Sequence, residues 1–131
     1  MLSSLASPVI HHADLPILEG KVFQRTVFAL TAEAAASYLH TVSTLCEGLQ
    51  RMLHRTFTVA PTASQLAAAA HTVAASAGMF GFERLTMMGR RFERAVNAGA
   101  ADAPALADGL SAALEATLAA LRNRTRISVE A

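Results

Sequence analysis

Several residue types and patterns are scarce in this sequence. It contains no Trp, one Tyr and one Cys, and its formal net charge is +1. A single cysteine cannot form an intramolecular disulfide or a Cys-based zinc site, so we expect a reducing, cytoplasmic environment. The small net charge gives no general attraction to nucleic acid or anionic lipid, and no apolar run approaches the ~20 residues that span a bilayer. Neither nucleic acid nor a membrane is therefore expected as a partner.

Alanine and leucine dominate the residues that are present. Hydrophobic residues make up 53% of the 131 residues and charged residues 16%, which is enough to form the core of one domain. Aromatic residues account for only 5%, and alanine and leucine are strong helix formers, so the composition favours an all-α fold. We predict an up-down four-helix bundle with a short extra N-terminal helix. A loose lead-in is expected over residues 1–14, a single bundle domain over 15–126 and a frayed C-terminus over 127–131.

Residues typical of helix ends divide the chain into these helices. Thr31 is a favourable N-cap, and Thr62 and Gln65 have the spacing of a capping box. Gly81 and Gly99 can end helices in a left-handed conformation. The predicted helices therefore cover about residues 15–30, 62–81, 82–98 and 102–126. A further helix runs from residue 31 to a break at residues 56–61.

Apolar residues recur at steps of three and four in each predicted helix. The short helix is expected to lie over one end of the bundle, and the first long helix has a heptad-like seam. The predicted core-facing residues are Ile17, Leu18, Val22, Phe23, Val27 and Leu30 in the short helix, and Ala35, Leu39, Val42, Cys46, Leu49, Leu53, Leu85, Met88, Phe92, Val96, Leu106, Leu110, Leu114, Thr117, Leu118 and Leu121 in the long ones.

His71 lies among very small residues in the helix that begins at Thr62. At about 100° per residue it lies roughly 140° from the middle of the core-facing stripe, so we expect it to project into solvent. Long polar side chains usually solvate such a face, but here the neighbours are small. They leave room for a partner protein to bring a reactive group to the ring. The stripe consists of Leu66, Ala70, Val73, Ala77 and Phe80, and the small neighbours are Ser64, Ala67, Ala74, Ala75 and Gly78.

The run from His71 to Gly81, followed by Leu85 and Phe92-Glu93, resembles the signature of histidine-containing phosphotransfer (HPt) domains. Its Gly-Met-Phe-Gly-Phe portion is also similar to the phosphoacceptor domain of chemotaxis histidine kinases, which has the same fold. The resemblance implies that His71 accepts a phosphoryl group and exchanges it with a response-regulator receiver domain or a histidine kinase. It implies no cofactor in this chain and Mg²⁺ in the partner receiver domain.

One departure from the family pattern concerns charge. The family usually has Lys-Gly three and four positions after the histidine, where this chain has Ala74 and Ala75. We expect arginines of the following helix, Arg84, Arg90, Arg91 and Arg94, to flank His71 and to supply the missing positive charge. For any single arginine, solvation of an outer helix face explains its presence better than a role beside His71. The predicted partner-binding residues are Ser64, Ala67, Ala74, Ala75, Gly78, Arg90 and Arg94.

Two other interpretations stay open at this point. The first is a degenerate HPt-like module that docks a receiver or kinase without phosphotransfer, as the missing Lys-Gly pair suggests. The second is a purely structural bundle. ATP binding is not expected, because the chain has no Gly-rich phosphate loop, Walker lysine or acidic metal pocket. His11, His12, His40 and His54 lack the spacing of a metal site and are interpreted as surface residues. We expect a monomer.

Overall fold

The helical pattern of the sequence forms the expected bundle. The structure is a computed structural model that describes residues 15–54 and 60–130, with side chains described as far as Asn123. The lead-in predicted over 1–14 lies outside these residues. Within them the protein has five helices and no strands, so the predicted all-α fold is confirmed. The helices are α1 (Gly20–Ala29), α2 (Ala32–Leu53), α3 (Ala63–Met79), α4 (Glu83–Ala98) and α5 (Ala103–Glu130).

The N-termini of α2 and α3 are capped by the threonines that the sequence indicated. The Thr31 hydroxyl accepts a hydrogen bond of 3.1 Å from the N–H of Ala34. Thr62 and Gln65 form a reciprocal capping box, in which the N–H of Gln65 donates to Thr62 Oγ1 at 3.1 Å and the N–H of Thr62 donates to Gln65 Oε1 at 2.9 Å. These bonds satisfy N–H groups that a helix leaves unpaired, and they fix where each helix begins.

The turn between α3 and α4 depends on Gly81, whose φ is +85°. The N–H of Gly81 donates to the carbonyl of Gly78 at 3.2 Å. The N–H of Phe82 donates to the carbonyl of Ala77 at 3.1 Å, which completes a Schellman motif. A Cβ at position 81 would lie 2.8 Å from the carbonyl oxygen of Glu19, so the turn has no room for a side chain there. The predicted glycine cap is confirmed, and the short turn makes α3 and α4 antiparallel neighbours.

The start of α1 was predicted near residue 15, and this was wrong. The helix begins at Gly20, because Glu19 is its N-cap and accepts a hydrogen bond of 2.9 Å from the N–H of Val22. Pro16 disfavours helical geometry at Leu15, the residue before it, and residues 15–19 are not helical.

The segment before α1 and α1 itself close one end of the bundle, as predicted. The N–H of Glu19 donates to the carbonyl of Gly81 at 2.7 Å, which ties the segment to the α3–α4 turn. The ring of Phe23 lies 6.1 Å from that of Phe80 and 6.4 Å from that of Phe82. Burial of these aromatic rings holds α1 against the turn and fixes the end of the helical hairpin.

The core is formed by the predicted seams of the four bundle helices. Cys46 is fully buried, and burial raises the pKa of its thiol to about 12, so it stays protonated and packs as a small apolar residue. The hydroxyl of Thr117 is also buried and donates to the carbonyl of Ala113 at 2.8 Å. The other predicted core residues that are buried are Phe23, Ala35, Val42, Leu49, Ala70, Val73, Ala77, Phe80, Leu85, Met88, Phe92, Leu110, Leu114, Leu118 and Leu121.

α5 begins where the sequence indicated and continues further than expected. Asp102 immediately precedes the helix and Pro104 is its second residue. The helix continues to Glu130, beyond the predicted end near Arg126, because residues 127–130 contain neither glycine nor proline to stop it. No helix in the described part of the chain is both long and apolar enough to cross a bilayer.

Candidate functional site

His71 projects from the middle of α3 into solvent. Its side chain is 68% exposed, whereas Ala70, Val73 and Ala77 of the same helix are buried in the core. The predicted exposure of His71 is therefore confirmed. The apolar stripe of an amphipathic helix faces the core, and this determines which residues face solvent.

Four exposed residues on the same side of α3 as His71 have short side chains. Ser64, Ala75 and Gly78 are exposed, as predicted, and Ala68 is exposed beside them. We call these four residues the small-residue face. Because none of their side chains is longer than a hydroxymethyl group, the imidazole ring stands above its surroundings. A reactive group on another protein could reach it without displacing neighbouring side chains.

The prediction that Ala67 and Ala74 are exposed was wrong. Ala67 is 5% exposed and Ala74 is 2% exposed. Ala74 faces Gly89 of α4, where a Cβ would lie 3.1 Å from Ala74 Cβ and 3.2 Å from the carbonyl oxygen of Ala70. α3 packs against both α2 and α4, so its buried surface is wider than one core-facing stripe. The position that usually holds the family lysine therefore lies inside the α3–α4 contact.

The residue that contacts the His71 ring is Glu93 of α4. The Nδ1 atom of His71 lies 3.1 Å from Oε1 and 3.1 Å from Oε2 of Glu93. The Glu93 side chain is 24% exposed, so the contact lies at the solvent edge of the α3–α4 contact. The sequence motif included Glu93 but did not assign it this role.

Side-chain direction explains why counting residues from the turn did not identify Glu93. The count places the backbone near Arg91 and Phe92 level with His71. In a helix, however, every side chain leans toward the N-terminus of that helix. Because α3 and α4 are antiparallel, this lean carries the His71 ring toward later residues of α4 and carries Glu93 back toward the ring. Applying this correction to the count would have found the pair.

A carboxylate beside Nδ1 determines which ring nitrogen can react. An ionised carboxylate only accepts hydrogen bonds, so Nδ1 of His71 carries the hydrogen in this pair. The neutral ring then has its lone pair on Nε2, the nitrogen that does not face Glu93. The site therefore presents one nucleophilic nitrogen, Nε2, on a ring that is oriented by the contact between Glu93 and Nδ1.

Arg84, one of the four arginines predicted near His71, bonds to the segment before α1. The Nε atom of Arg84 donates to the carbonyl of Leu15 at 3.0 Å, which holds the segment before α1 against the α3–α4 turn. Arg91 is half-buried. Glu93 makes the contact with the His71 ring, and the expectation that arginines of α4 flank the ring stays a prediction.

Arg90 and Arg94 are exposed on α4. Arg90 precedes Glu93 by three residues, so the two side chains are neighbours on the helix surface. Arg94 follows Arg90 by four residues and is likewise its neighbour. Their part in binding a partner stays a prediction.

The other described histidines, His40 and His54, are not part of a metal-binding cluster. The Nε2 atom of His54 lies 3.2 Å from Oγ of Ser111, which links α2 to α5, and His40 is exposed. Among the described side chains, no group of three or more His, Cys, Asp or Glu residues could hold a metal ion. His11 and His12 lie outside the described residues.

The helical bundle presents His71 to solvent, with Glu93 against its Nδ1 atom. The family model described as Hpt domain matches residues 33–124, which contain His71, Glu93 and most of α2 to α5. The chain belongs to the Hpt domain family, whose members are helical bundles that act in phosphorelay signalling and interact with kinases and receiver domains. No curated protein and no solved structure matches this chain.

Proposed function

We propose that His71 is a phosphoryl carrier in a two-component phosphorelay. Its Nε2 atom accepts a phosphoryl group from a histidine kinase or from the aspartate of a receiver domain, and passes it to the aspartate of a receiver domain. The observation that carries this proposal is the exposed His71 ring with its Nδ1 held by Glu93 at 3.1 Å. Membership of the Hpt domain family supports it.

The proposed reaction needs only a nucleophile and its orientation from this chain. The Nε2 lone pair attacks phosphorus in line, the N–P bond forms, and the bond between phosphorus and the donor oxygen breaks. The electron pair of that bond stays on the donor. The receiver contributes its aspartate and Mg²⁺, and this chain contributes no cofactor of its own. Because in-line transfer depends on positioning, the Glu93 contact that orients the ring contributes directly to the rate.

The proposed partner surface is the small-residue face together with two cations. Exposed Ser64, Ala75 and Gly78 contact the receiver around His71. Ala67 and Ala74 are buried beneath this surface and do not touch the partner, and Ala74 lets α4 approach α3 closely at Gly89. Arg90 and Arg94 offer positive charge to the phosphoryl group and to the acidic pocket of a receiver.

The proposal places this exchange in the cytoplasm. The buried, protonated thiol of Cys46 is compatible with the reducing environment of that compartment.

The test is phosphotransfer from a phosphorylated receiver domain. We expect the wild-type chain to acquire an acid-labile label, and His71→Gln to lose it almost completely, because glutamine has no nucleophilic ring nitrogen. His40→Gln is the matched control, since His40 is also an exposed histidine of a bundle helix. The control should be labelled like the wild type.

Two outcomes would contradict the proposal. Undiminished acid-labile labelling of the His71→Gln variant would show that another residue is the acceptor. Binding of kinase and receiver domains by a wild-type chain that is never labelled would instead favour the docking module.

A further inference from the structure

We propose that the outward face of α1, formed by Lys21, Arg25 and Phe28, is a second docking surface for the receiver domain that exchanges a phosphoryl group with His71. The inference rests on the proposed function of His71. It assigns partner recognition to a helix that lies before residue 33, where the match to the family model begins.

Phe28 of α1 projects almost completely into solvent. Its side chain is 92% exposed, whereas Phe23, the other phenylalanine of this helix, is 7% exposed and packs in the core. Phe28 therefore contributes little to the fold, and its ring is available to another protein. Aromatic side chains of this kind are enriched in the buried centres of protein interfaces, where they fill apolar pockets of the partner.

Two cations lie on the same stripe of α1 as Phe28. Lys21 precedes Phe28 by seven residues and Arg25 precedes it by three, so the three side chains project to one side of the helix. Both cations are exposed, and no carboxylate in the described part of the chain forms an ion pair with either of them. The carboxylate of Glu19 instead accepts hydrogen bonds from the backbone N–H groups of Lys21 and Val22. The outward face of α1 is therefore aromatic and positively charged.

This arrangement of charges does not stabilise α1 itself. Lys21 is the second residue of the helix, and a cation in the first turn is unfavourable for the helix dipole. Lys21 and Arg25 are like charges four residues apart, and such pairs repel each other on a helix surface. Stability of the helix therefore does not account for this face, whereas binding of an acidic partner with an apolar pocket does.

α1 is held next to the helix that carries His71. The hydroxyl of Thr26 donates to the carbonyl of Met79 at 2.8 Å, and the ring of Phe23 packs against that of Phe80. Met79 follows His71 by eight residues, which corresponds to about 12 Å along α3. A standard interface covers about 800 Å² of each partner, a patch about 28 Å across, so one receiver is large enough to contact both His71 and α1.

The charge of a receiver is complementary to this face. The aspartate of a receiver lies beside bound Mg²⁺, which proteins hold with carboxylates, so the surface that approaches His71 is acidic. Positive charge on α1 attracts such a surface over about 10 Å at 0.1 M salt. Phe28 adds an apolar contact that slows dissociation. The face of α1 therefore acts on binding of the receiver and not on the transfer step.

Two variants test this inference. Phe28→Ala removes the aromatic contact, and a variant that combines Lys21→Glu with Arg25→Glu reverses the charge. Phosphotransfer from a phosphorylated receiver is measured at increasing receiver concentration, which separates the concentration at half-maximal rate from the maximal rate. We expect both variants to raise the half-maximal concentration about tenfold and to leave the maximal rate unchanged. Added salt should reduce the effect of the charge variant.

Three controls separate docking from other effects. Phe28→Leu keeps an apolar side chain and should recover part of the lost affinity. Arg122→Glu reverses the charge of an exposed arginine on α5 and should match the wild type. Phosphoramidate is a donor too small to contact α1, so it should label all variants at the rate of the wild type.

Failure of this inference differs from failure of the proposed function. If Phe28→Ala and the charge variant have the half-maximal concentration of the wild type, or if phosphoramidate also labels them more slowly, the role of α1 is overturned and His71 remains the acceptor. If neither donor labels the wild type, the proposed function fails. Calorimetric titration of the wild type and Phe28→Ala with the unphosphorylated receiver then decides the role of α1 by itself, and equal affinities would overturn it.

Discussion

The two helices of the α3–α4 hairpin differ in what they contribute to the site. In α3, His71 is the only residue that can carry a charge, and most of its neighbours are alanine, serine or glycine. In α4, the charged residues are Glu83, Arg84, Arg90, Arg91, Glu93 and Arg94. The proposed phosphoacceptor therefore lies on α3, whose small side chains leave space around it, and the charged side chains lie on α4.

This difference shows how an exposed histidine can be oriented without being enclosed. Buried Ala74 and Ala70 on α3 and Gly89 on α4 let the two helices approach closely. The close approach brings Glu93 to one edge of the His71 ring. The other edge stays open, because the surrounding residues of α3 are too small to cover it.

Disturbing the turn that joins the two helices should have the largest effect. In Gly81→Ala the new Cβ would occupy a left-handed backbone conformation, with φ of +85°, 2.8 Å from the carbonyl oxygen of Glu19. We expect a loss of about 2–4 kcal/mol in the free energy of unfolding, from the backbone strain and the overlap together. Urea denaturation followed by circular dichroism measures it.

Gly99→Ala is the matched control for this change. Gly99 is also left-handed, with φ of +63°, but a Cβ there would meet nothing within 4 Å. It should lose only the strain component, about 1–2 kcal/mol. Equal losses in the two variants would show that the overlap between the new Cβ and Glu19 does not reduce stability.

Adding bulk to α3 should have the next largest effect, on transfer and not on folding. Ala75→Leu places a branched side chain on the small-residue face, where it would hold the aspartate of a receiver away from the His71 ring. Leucine is nearly as good a helix former as alanine, so stability should change little. We expect the rate of phosphotransfer to fall by about tenfold or more, because in-line transfer depends on positioning.

The control for that prediction is Ala119→Leu, at an exposed position of α5. Gly78→Leu is a less specific variant, because a Cβ there would lie 3.3 Å from Oγ1 of Thr86 and would disturb α4. A normal transfer rate in Ala75→Leu, measured with the same receiver, would show that the small side chains are not part of the docking surface.

The smallest effect is expected from removing positive charge on α4. Arg90→Ala should slow phosphotransfer only a few-fold, because an exposed ion pair contributes little, and the effect should shrink as salt is added. Arg122→Ala, an exposed arginine of α5, is the control. Identical phosphotransfer rates for Arg90→Ala and Arg122→Ala at low ionic strength would show that Arg90 is not part of the partner surface.

The structure also changes which test of the missing lysine is useful. A lysine at position 74 would place a cation where the family usually has one. Because Ala74 is 2% exposed and faces Gly89, a lysine there must first leave the α3–α4 contact, and a change in rate would not report charge alone. Arg90→Ala avoids this complication, since Arg90 is exposed.

The sequence by itself determined the order of the helices, most of their ends and the exposure of His71. Each of these depends on interactions within one helix or one turn, such as the Thr62–Gln65 capping box and the left-handed Gly81. Residues a few positions apart decide them, so periodicity and spacing are sufficient.

Only the tertiary structure decided that Glu93 contacts His71, that Ala67 and Ala74 are buried, and that α1 begins at Gly20. The first two depend on the distance and axial offset between α3 and α4. Packing of side chains far apart in sequence fixes that offset, and the lean of each side chain then decides which residues meet. The start of α1 depends on the segment before it, which bonds to the α3–α4 turn instead of continuing the helix.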